Sequence, residues 1–386
     1  MTGAQALAVL GVQPQTLYAN VSRGRICAKP DPKDSRRSLY NSEDVKRLAA
    51  RRAGRRPAAS VAAAAIGWGD PVLASDISTT AEGRLWYRGR DAVALSDSAS
   101  LEEVASLLWE TGDVRFGRLQ NVALATDAAA SALEAALLVL SRRAGTTPPS
   151  LGLSRAVLVT EAANLVDDVA TAMLGSLTGA RSPLHHRLAT VWRVAPAESV
   201  LRRTLVLLAD HELNASTFAA RVAASTGASL SASLLAGLAT LAGPLHGGAA
   251  AEVRLLAATA QQMGADRAVG DWLARGRPLP AFGHPLYPDG DPRALVLLEH
   301  FRPRPAFAEL RLAAEALTGE QPNIDFAISA MADAFNLPAA APFILFAVAR
   351  SVGWIAHILE QLATGSLIRP RARYTGPPLF AVSVPR

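Results

Sequence analysis

The sequence contains very little cysteine, with Cys27 as its one instance in 386 residues. A single cysteine excludes an internal disulfide and fits a reducing compartment. The first fifteen residues also lack the basic segment, apolar stretch and small-residue cleavage site that mark a secretory signal. We therefore expect a cytoplasmic protein.

Long uncharged apolar runs are missing as well. The most apolar stretch, residues 342–362, carries Arg350, His357 and Glu360. Charged side chains are costly in the hydrocarbon core of a bilayer. We predict a buried helix here and no membrane partner.

Several common functional motifs do not occur. The sequence has no phosphate-binding loop with a Walker lysine, no GxGxxG after a strand, no Cys/His metal spacing and no nucleophile elbow. No metal or redox cofactor is therefore indicated.

The residues that are abundant favour helices. Half of the chain is hydrophobic, and much of that is alanine and leucine, which have high helix propensity. Valine and isoleucine rarely alternate with polar residues, so strands should be few. An all-α fold is predicted, and the length favours two or three domains.

Positive charge is concentrated at the N-terminus. Residues 1–57 hold 12 Lys/Arg against 4 Asp/Glu, which leaves 27 against 29 for the rest of the chain. Such a local excess is expected of a segment that contacts nucleic acid.

The pattern over residues 1–52 predicts a small helical module. Helices are expected at 4–10 and 14–24, with a turn at Gly11 between them. A short extended stretch, RRSLY, and a third helix starting near residue 41 or 42 should follow. This layout resembles the winged helix-turn-helix of MerR-type proteins, which implies DNA as a partner of residues 1–57. The alternative is an oligomerisation cap with a solvated basic face. Residues 53–66 are predicted to be a linker.

Six later segments place polar side chains in unusual surroundings. They are DHELNASTFAARVAAST (210–226), LAGPLHGGAAAEV (241–253), AFGHPLYPDGDPRA (281–294), PNIDFAISA (322–330), the apolar helix around residue 350, and IRPRARYTGP (368–377).

Their order and spacing resemble the citrate synthase family. GPLHGG, FGH followed seven residues later by DPRA, PNIDF, and ARSVGWIAH before IRPR match its motifs over roughly residues 70–380. The resemblance implies a two-domain helical fold. The large domain would comprise residues 67–246 and 331–386, and a small domain of residues 247–330 would close over bound oxaloacetate. It also implies a homodimer.

Three residues are candidates for the catalytic chemistry. His246 precedes a helix, whose positive end would keep the imidazole neutral and able to donate to a thioester oxygen as an enolate forms. Asp325 could remove the proton alpha to the thioester, although a helix N-cap is its alternative role. His284 could donate to the ketone oxygen that gains charge during attack; the resemblance gives all three these catalytic roles.

The arginines indicate a substrate with carboxylates, because guanidinium binds carboxylate in a bidentate manner. Arg350 lies on an apolar helix and needs a carboxylate from the protein or from a ligand. The resemblance assigns Arg293, Arg369 and His211 to oxaloacetate as well, with Arg369 donated across the dimer interface.

The implied reaction is condensation of acetyl-CoA with oxaloacetate to citrate and CoA through citryl-CoA. Alternatives are 2-methylcitrate synthesis, cleavage of a citryl-type thioester, or a DNA-binding regulator that senses these ligands. Coenzyme A would contact Pro280, Phe282 and Gly283. Family members often have Gly where this chain has Ala281, which leaves the acyl preference open.

Overall fold

The computed structural model describes residues 1–10, 16–17, 20–21, 26–31, 34–46, 73–117, 131–175, 182–372 and 374–377. The chain divides into two compact units, Met1–Ala74 and Ser75–Arg386. The predicted Gly11 turn and the linker at 53–66 lie outside the described residues. The subdivision into domains at 67–246, 247–330 and 331–386 stays a prediction.

The N-terminal unit contains a helix and a β-hairpin. Helix α1 spans Gly3–Leu10, and strands β1 (Ala28–Asp31) and β2 (Asp34–Tyr40) pair antiparallel. The predicted first helix and extended RRSLY are confirmed, and residues 42–46 are helical as expected. Of the predicted second helix, residues 16–17 and 20–21 are described, and they are helical. The winged helix-turn-helix assignment stays a prediction.

A three-stranded antiparallel sheet opens the second unit, where the sequence predicted no strands. Strands β3 (Ser78–Ala81), β4 (Arg84–Tyr87) and β5 (Arg90–Asp91) follow one another along the chain. Both connections are two-residue turns with positive φ, at Glu82–Gly83 and Arg88–Gly89, as tight hairpins require. Strands of four residues or fewer are too short to show the alternation by which strands are recognised.

The rest of the described part of this unit is helical. Its α-helices are α2 (Ala92–Ser98), α3 (Leu101–Leu108), α4 (Ala132–Thr146), α5 (Arg155–Leu174), α6 (Leu184–Val191), α7 (Glu198–Leu208), α8 (Ala215–Ser225), α9 (Leu230–Leu241), α10 (Pro244–Gly247), α11 (Ala249–Met263), α12 (Ala265–Leu273), α13 (Pro292–Leu298), α14 (Pro305–Thr318), α15 (Ile324–Ala334) and α16 (Ala341–Thr364).

Three side chains fix the starts of helices that carry candidate residues. Asn214 accepts from the Thr217 backbone N–H and begins α8, Asp291 begins α13, and Asn323 begins α15. Such caps satisfy backbone donors that have no partner within the helix, so they define where the helix starts.

Helix α16 forms the centre of the second unit. By length and composition it could cross a membrane, but 89% of its most apolar 18-residue window is buried within the protein. Trp109 Nε1 donates to the carbonyl of Val352 at 2.9 Å. The prediction of a buried helix is confirmed.

Three turns of α16 contact three successive residues at the end of α7. Arg350 Nε donates to the Leu208 carbonyl at 3.0 Å, and the Gly353 N–H donates to the Ala209 carbonyl at 3.1 Å. His357 Nε2 lies 3.2 Å from a carboxylate oxygen of Asp210. A Cβ at position 353 would come within 2.3 Å of the Ala209 oxygen, so this approach requires glycine.

Candidate active site

His211 lies in a loop whose flanking carboxylates are both engaged. The Asp210 carboxylate accepts hydrogen bonds from Ser78 Oγ and His357, and the Glu212 carboxylate accepts from the Thr80 backbone N–H. The acidic neighbours in Asp-His-Glu therefore anchor the loop to β3 and α16. The histidine between them is left to face the site, with 8% of its surface exposed.

The His211 ring belongs to a cluster that includes His284, Tyr287 and Arg293. The two histidine rings meet edge to face with centroids 5.1 Å apart. Tyr287 lies 4.9 Å from the His284 ring, and its Oη is 2.9 Å from His211 Nε2. The Arg293 guanidinium carbon is 5.4 Å from the Tyr287 ring centroid. The structure thus brings together three of the predicted residues and one that was not predicted.

The loop that carries His284 is tied to the start of α15. Asn323 donates its backbone N–H to the Ala281 carbonyl at 2.9 Å and its side-chain amide to the Gly283 carbonyl at 3.0 Å. His284 Nδ1 accepts from the Leu286 backbone N–H at 3.1 Å. Because Nδ1 accepts, the proton of the neutral ring lies on Nε2, which is left as a donor.

Asp325 is the second residue of α15, and its carboxylate is free. Asn323, two residues earlier, caps the helix by accepting from the Asp325 backbone N–H at 3.0 Å. The alternative role of Asp325 as the N-cap is therefore wrong. No described residue donates to its carboxylate. Burial raises the pKa of Asp325 to about 6, although the positive charge of Arg293 opposes the rise.

The low pKa of His246 does not come from the N-terminus of the following helix, as the sequence had indicated. It lies within the short helix α10, two residues before Gly248, the N-cap of α11. Burial lowers its pKa to about 4, with a smaller contribution from the positive charge of Arg350. The imidazole is neutral at pH 7, as expected, but burial and a nearby cation replace the helix dipole as the reason.

Ser216 controls which nitrogen of His246 carries the proton. Its Oγ accepts from Trp354 Nε1 at 3.1 Å, donates to Asn214 Oδ1 at 2.7 Å and lies 2.8 Å from His246 Nε2. The bond to Asn214 uses the one hydroxyl proton, so Nε2 of His246 is the donor to Oγ unless the hydroxyl turns from Asn214 to His246. When it donates to His246, the ring proton must lie on Nδ1, where it can be offered to a ligand.

The two buried arginines differ in their partners. Arg293 donates through Nε and Nη2 to the two carboxylate oxygens of Asp291, at 2.9 and 2.7 Å. Arg350 donates through Nε to a backbone carbonyl and lies 4.7 Å from the Phe346 ring. No carboxylate of the described residues forms an ion pair with Arg350. A guanidinium that is 1% exposed is therefore left without an ion pair, although the carboxylates of Asp210 and Asp325 act on it electrostatically.

These cations act on the whole site. Burial lowers the pKa of His211 well below its usual value, with help from Arg293 and Arg350, and burial lowers that of His284 to about 4. Both rings, like His246, are neutral at pH 7. The site therefore combines three neutral imidazoles, two arginines and one carboxylate of raised pKa.

The remaining predicted residues are not part of this cluster. Arg369 is exposed beyond the end of α16, and no described residue forms an ion pair with it. Pro280 and Phe282 are buried, and the Phe282 ring packs 5.1 Å from Phe326 in the core. Gly283 adopts a positive φ of 67°. The assignment of Pro280, Phe282 and Gly283 to coenzyme A stays a prediction.

Four residues at the site were not singled out in the sequence: Ser216, Tyr287, Asp291 and Asn323. Asp291 and Asn323 stand immediately before helices, so the N-cap preference for Asp and Asn could have identified them. Ser216 and Tyr287 act through contacts with residues 30 and 76 positions away, and no local pattern indicates these.

The sequence model of the family described as "Citrate synthase, C-terminal domain" matches residues 178–371, just over half of the chain. The chain belongs to the citrate synthase family. It is 40% identical to the citrate synthase of Haloferax volcanii over 184 residues, which are 45% of this chain and 48% of that protein. It is 35% identical to the 2-methylcitrate synthase of Shewanella oneidensis over 188 residues, or 46% of this chain and 50% of that protein. The alignments thus span about half the length of these curated relatives.

Solved citrate synthases share the fold over a longer range. The enzyme from Thermotoga maritima superposes with a TM-score of 0.63 at 25% identity, over 82% of this chain and 96% of that chain. A ternary complex of the Thermoplasma acidophilum citrate synthase with carboxymethyl coenzyme A and oxaloacetate gives 0.64 at 22% identity, with the same coverage. The helical citrate synthase-like fold is therefore established for residues beyond the N-terminal unit.

Proposed function

We propose that this chain condenses acetyl-CoA with oxaloacetate to give citrate and free CoA. The observation that carries the proposal is the carboxylate of Asp325. Asn323 caps the helix, so this carboxylate is not needed as a cap. Burial raises its pKa to about 6. A general base is most effective when its pKa lies near the working pH. Family membership and the set of neutral histidines and arginines around this carboxylate support the same reaction.

The first step would form the enolate of acetyl-CoA. Asp325 takes a proton from the methyl carbon of the acetyl group. His246 donates a hydrogen bond from Nδ1 to the thioester oxygen, which requires the Ser216 hydroxyl to turn from Asn214 and donate to Nε2. A neutral donor stabilises the developing negative charge without first losing its own proton.

The second step would join the two substrates. Arg350 and Arg293 hold the carboxylates of oxaloacetate, while His284 donates from Nε2 to its ketone oxygen. The enolate carbon attacks the ketone carbon, and the ketone oxygen takes the Nε2 proton of His284 to become the hydroxyl of citryl-CoA. The proton that Asp325 removed from the acetyl group then restores the imidazole through water. Water then cleaves the thioester, releasing citrate and CoA. Coenzyme A enters as part of a substrate, and no metal or redox cofactor takes part.

We further propose that the active protein is a homodimer. Arg369 is exposed and lies outside any helix or strand, and the family resemblance assigns it to the oxaloacetate site of a second copy. Donation across the interface would add a third cation to the site. Each site would then depend on the dimer.

The test is release of free CoA thiol that depends on oxaloacetate, measured with acetyl-CoA and with propionyl-CoA. Asp325→Asn should lower turnover by about 10²- to 10⁴-fold, the usual contribution of a general base. Asp333→Asn is the matched control, because Asp333 lies on the same helix but 4.0 Å from Arg304 at the protein surface.

Each outcome of this assay supports one of the candidate functions. Turnover with acetyl-CoA that is lost in Asp325→Asn supports the proposal. Release from propionyl-CoA alone would make the chain a 2-methylcitrate synthase. No release with either donor, from folded protein that binds oxaloacetate, would refute condensation and favour citryl-CoA cleavage or a sensor.

Charge favours a second candidate function for the N-terminal unit. Residues 1–57 contain 12 basic and 4 acidic residues, whereas the remainder of the chain is slightly acidic. Contacts between basic side chains and phosphates account for most of the non-specific affinity of proteins for DNA. Retention on duplex DNA that weakens with salt and is lost on deleting residues 1–57 would support a DNA-binding module. Retention that survives the deletion would argue against it.

A further inference from the structure

The hydroxyl of Tyr287 makes a contact that the reaction as outlined does not use. Oη lies 2.9 Å from Nε2 of His211, and the side chain is 2% exposed. The ring rests between the His284 ring and the guanidinium of Arg293, so the whole side chain lies inside the candidate oxaloacetate site. A buried hydroxyl and a buried imidazole at this distance must share one hydrogen bond.

The direction of that hydrogen bond follows from the other groups that could accept the Tyr287 proton. If His211 donated from Nε2, the Tyr287 proton would need another acceptor. The Thr80 hydroxyl is the other polar group that acts on the Tyr287 oxygen. It is buried and has no other partner among the described residues, so it uses Oη as the acceptor for its own proton and does not take the proton of Tyr287. A buried donor without an acceptor costs free energy. The arrangement that satisfies both groups has Tyr287 donating to Nε2 of His211.

A neutral imidazole carries one proton, so donation to Nε2 places it on Nδ1. Nδ1 of His211 makes no hydrogen bond to any described residue. We propose that Tyr287 is a positioning residue that holds His211 in the Nδ1–H form and so presents an N–H donor to oxaloacetate. This inference rests on the proposed condensation, which makes oxaloacetate the ligand that the donor meets.

The arrangement resembles that of His284, whose Nδ1 accepts from a backbone N–H so that its proton lies on Nε2. In both residues one ring nitrogen accepts a hydrogen bond from the protein, so the other ring nitrogen carries the proton and can donate it to a ligand. For His284 the backbone supplies this constraint, whereas for His211 a single side-chain hydroxyl supplies it. Substitution can therefore test the second case.

Tyr287→Phe removes the hydroxyl and keeps the ring. Without it both tautomers of His211 become accessible, so oxaloacetate should bind about three- to tenfold more weakly, the typical range for one hydrogen bond. In turnover, the KM for oxaloacetate should rise by that factor, with a smaller change in kcat and none in the KM for acetyl-CoA. Titration calorimetry with oxaloacetate gives the binding constant without turnover.

A second readout observes the His211 tautomer directly in the wild type. In [15N]histidine-labelled full-length protein, His211 should show the chemical-shift pattern of the Nδ1–H tautomer, its signal assigned by loss in His211→Gln. In Tyr287→Phe this signal should move toward a mixture of tautomers. Tyr40→Phe, a buried tyrosine in the N-terminal unit, is the matched control and should leave the signal and the oxaloacetate affinity unchanged.

Two results would overturn the inference. One is a His211 ring in the wild type with its proton on Nε2. The other is oxaloacetate binding in Tyr287→Phe that is unchanged or tighter, which would mean that Tyr287 merely fills the site until the substrate displaces it. A wild type that binds no oxaloacetate and releases no CoA would defeat the proposed function instead, and the tautomer would still decide the role of Tyr287.

Discussion

Two buried arginines, 57 positions apart in the sequence, have opposite surroundings. Arg293 is neutralised by Asp291 through two hydrogen bonds, and Asp291 also accepts from the Ile324 backbone N–H at the start of α15. Arg350 and the nearby Asp325 have no charged partner within hydrogen-bond distance among the described residues. Arg293 therefore has a structural partner as well as its proposed role toward oxaloacetate, whereas Arg350 would form its ion pair only with the ligand.

The comparison is tested most strongly by removing each charge. Arg293→Met leaves the Asp291 carboxylate buried without its cation and should lower the free energy of unfolding by about 3–5 kcal/mol. Arg350→Met breaks no ion pair, so it should lower the unfolding free energy by less than Arg293→Met, by about the 1–3 kcal/mol of a buried carbonyl left without its donor. It should nevertheless weaken oxaloacetate binding by roughly a hundredfold or more, because a paired charge is lost from the complex. Urea unfolding and calorimetry measure the two quantities.

The contrast would be broken if both variants lost similar stability. That result would mean that Arg350 also has a structural counter-ion. Arg350→Lys is a useful companion variant, since it keeps the charge but loses the planar geometry that binds carboxylate in a bidentate manner.

A smaller effect is expected from pH, and it concerns the free carboxylate. Because the pKa of Asp325 is about 6 in the free chain, kcat/KM should fall about tenfold for each pH unit below that value, as the base becomes protonated. His246 and His284, with pKa values of about 4, remain neutral between pH 5 and 8 and add no inflection there. A kcat/KM that stays level down to pH 4.5 would exclude Asp325 as the base.

The same shift has a consequence for stability. The folded chain holds the Asp325 proton more tightly than the unfolded chain, whose aspartates have a pKa of about 3.9. Unfolding therefore releases a proton between pH 4 and 6, and the wild type should lose stability relative to Asp325→Asn as pH rises through that window. Above pH 6 the difference should stay constant.

The smallest effect is expected at Ala281, in the loop that joins this region to α15. Its φ of 65° lies in the left-handed region, which costs a non-glycine residue about 1–2 kcal/mol. Part of the gain from glycine is lost to its greater freedom when unfolded. Ala281→Gly should therefore raise the unfolding free energy by roughly 0.5–1 kcal/mol.

Gly283→Ala is the matched control, since Gly283 has a φ of 67° and an added Cβ would lie 3.1 Å from the Glu320 side chain. It should destabilise the protein. If Ala281→Gly also destabilised it, the backbone at 281 would not be strained.

The sequence predicted the helical fold and most of the candidate residues because these depend on composition and on motifs with fixed spacing. It also predicted that Arg350 needs a carboxylate, since a charge on an apolar helix shows in the sequence alone. It did not predict that Arg293 already has one. Asp291 stands two residues before Arg293, but nothing in Asp-Pro-Arg indicates that the two side chains turn toward each other.

Other features could not be predicted from the sequence, for different physical reasons. From the sequence, Asp325 could be either the catalytic base or the N-cap of its helix. The structure shows that Asn323, two residues earlier, is the N-cap. The sheet at 78–91 has strands too short for periodicity to identify. The partners of His211 and His246 come from distant parts of the chain, and such contacts exist only in the folded molecule.

The three contacts between α16 and residues 208–210 bear on how this protein can be recombined with its relatives. Arg350, Gly353 and His357 bind Leu208, Ala209 and Asp210 in order, so the helix and the segment before His211 share one register. A one-residue deletion in either part, or a chimaera whose parents differ in length there, would shift all three contacts together and move His211 away from Arg350. The two segments, about 140 residues apart, should therefore be inherited or exchanged as a single block.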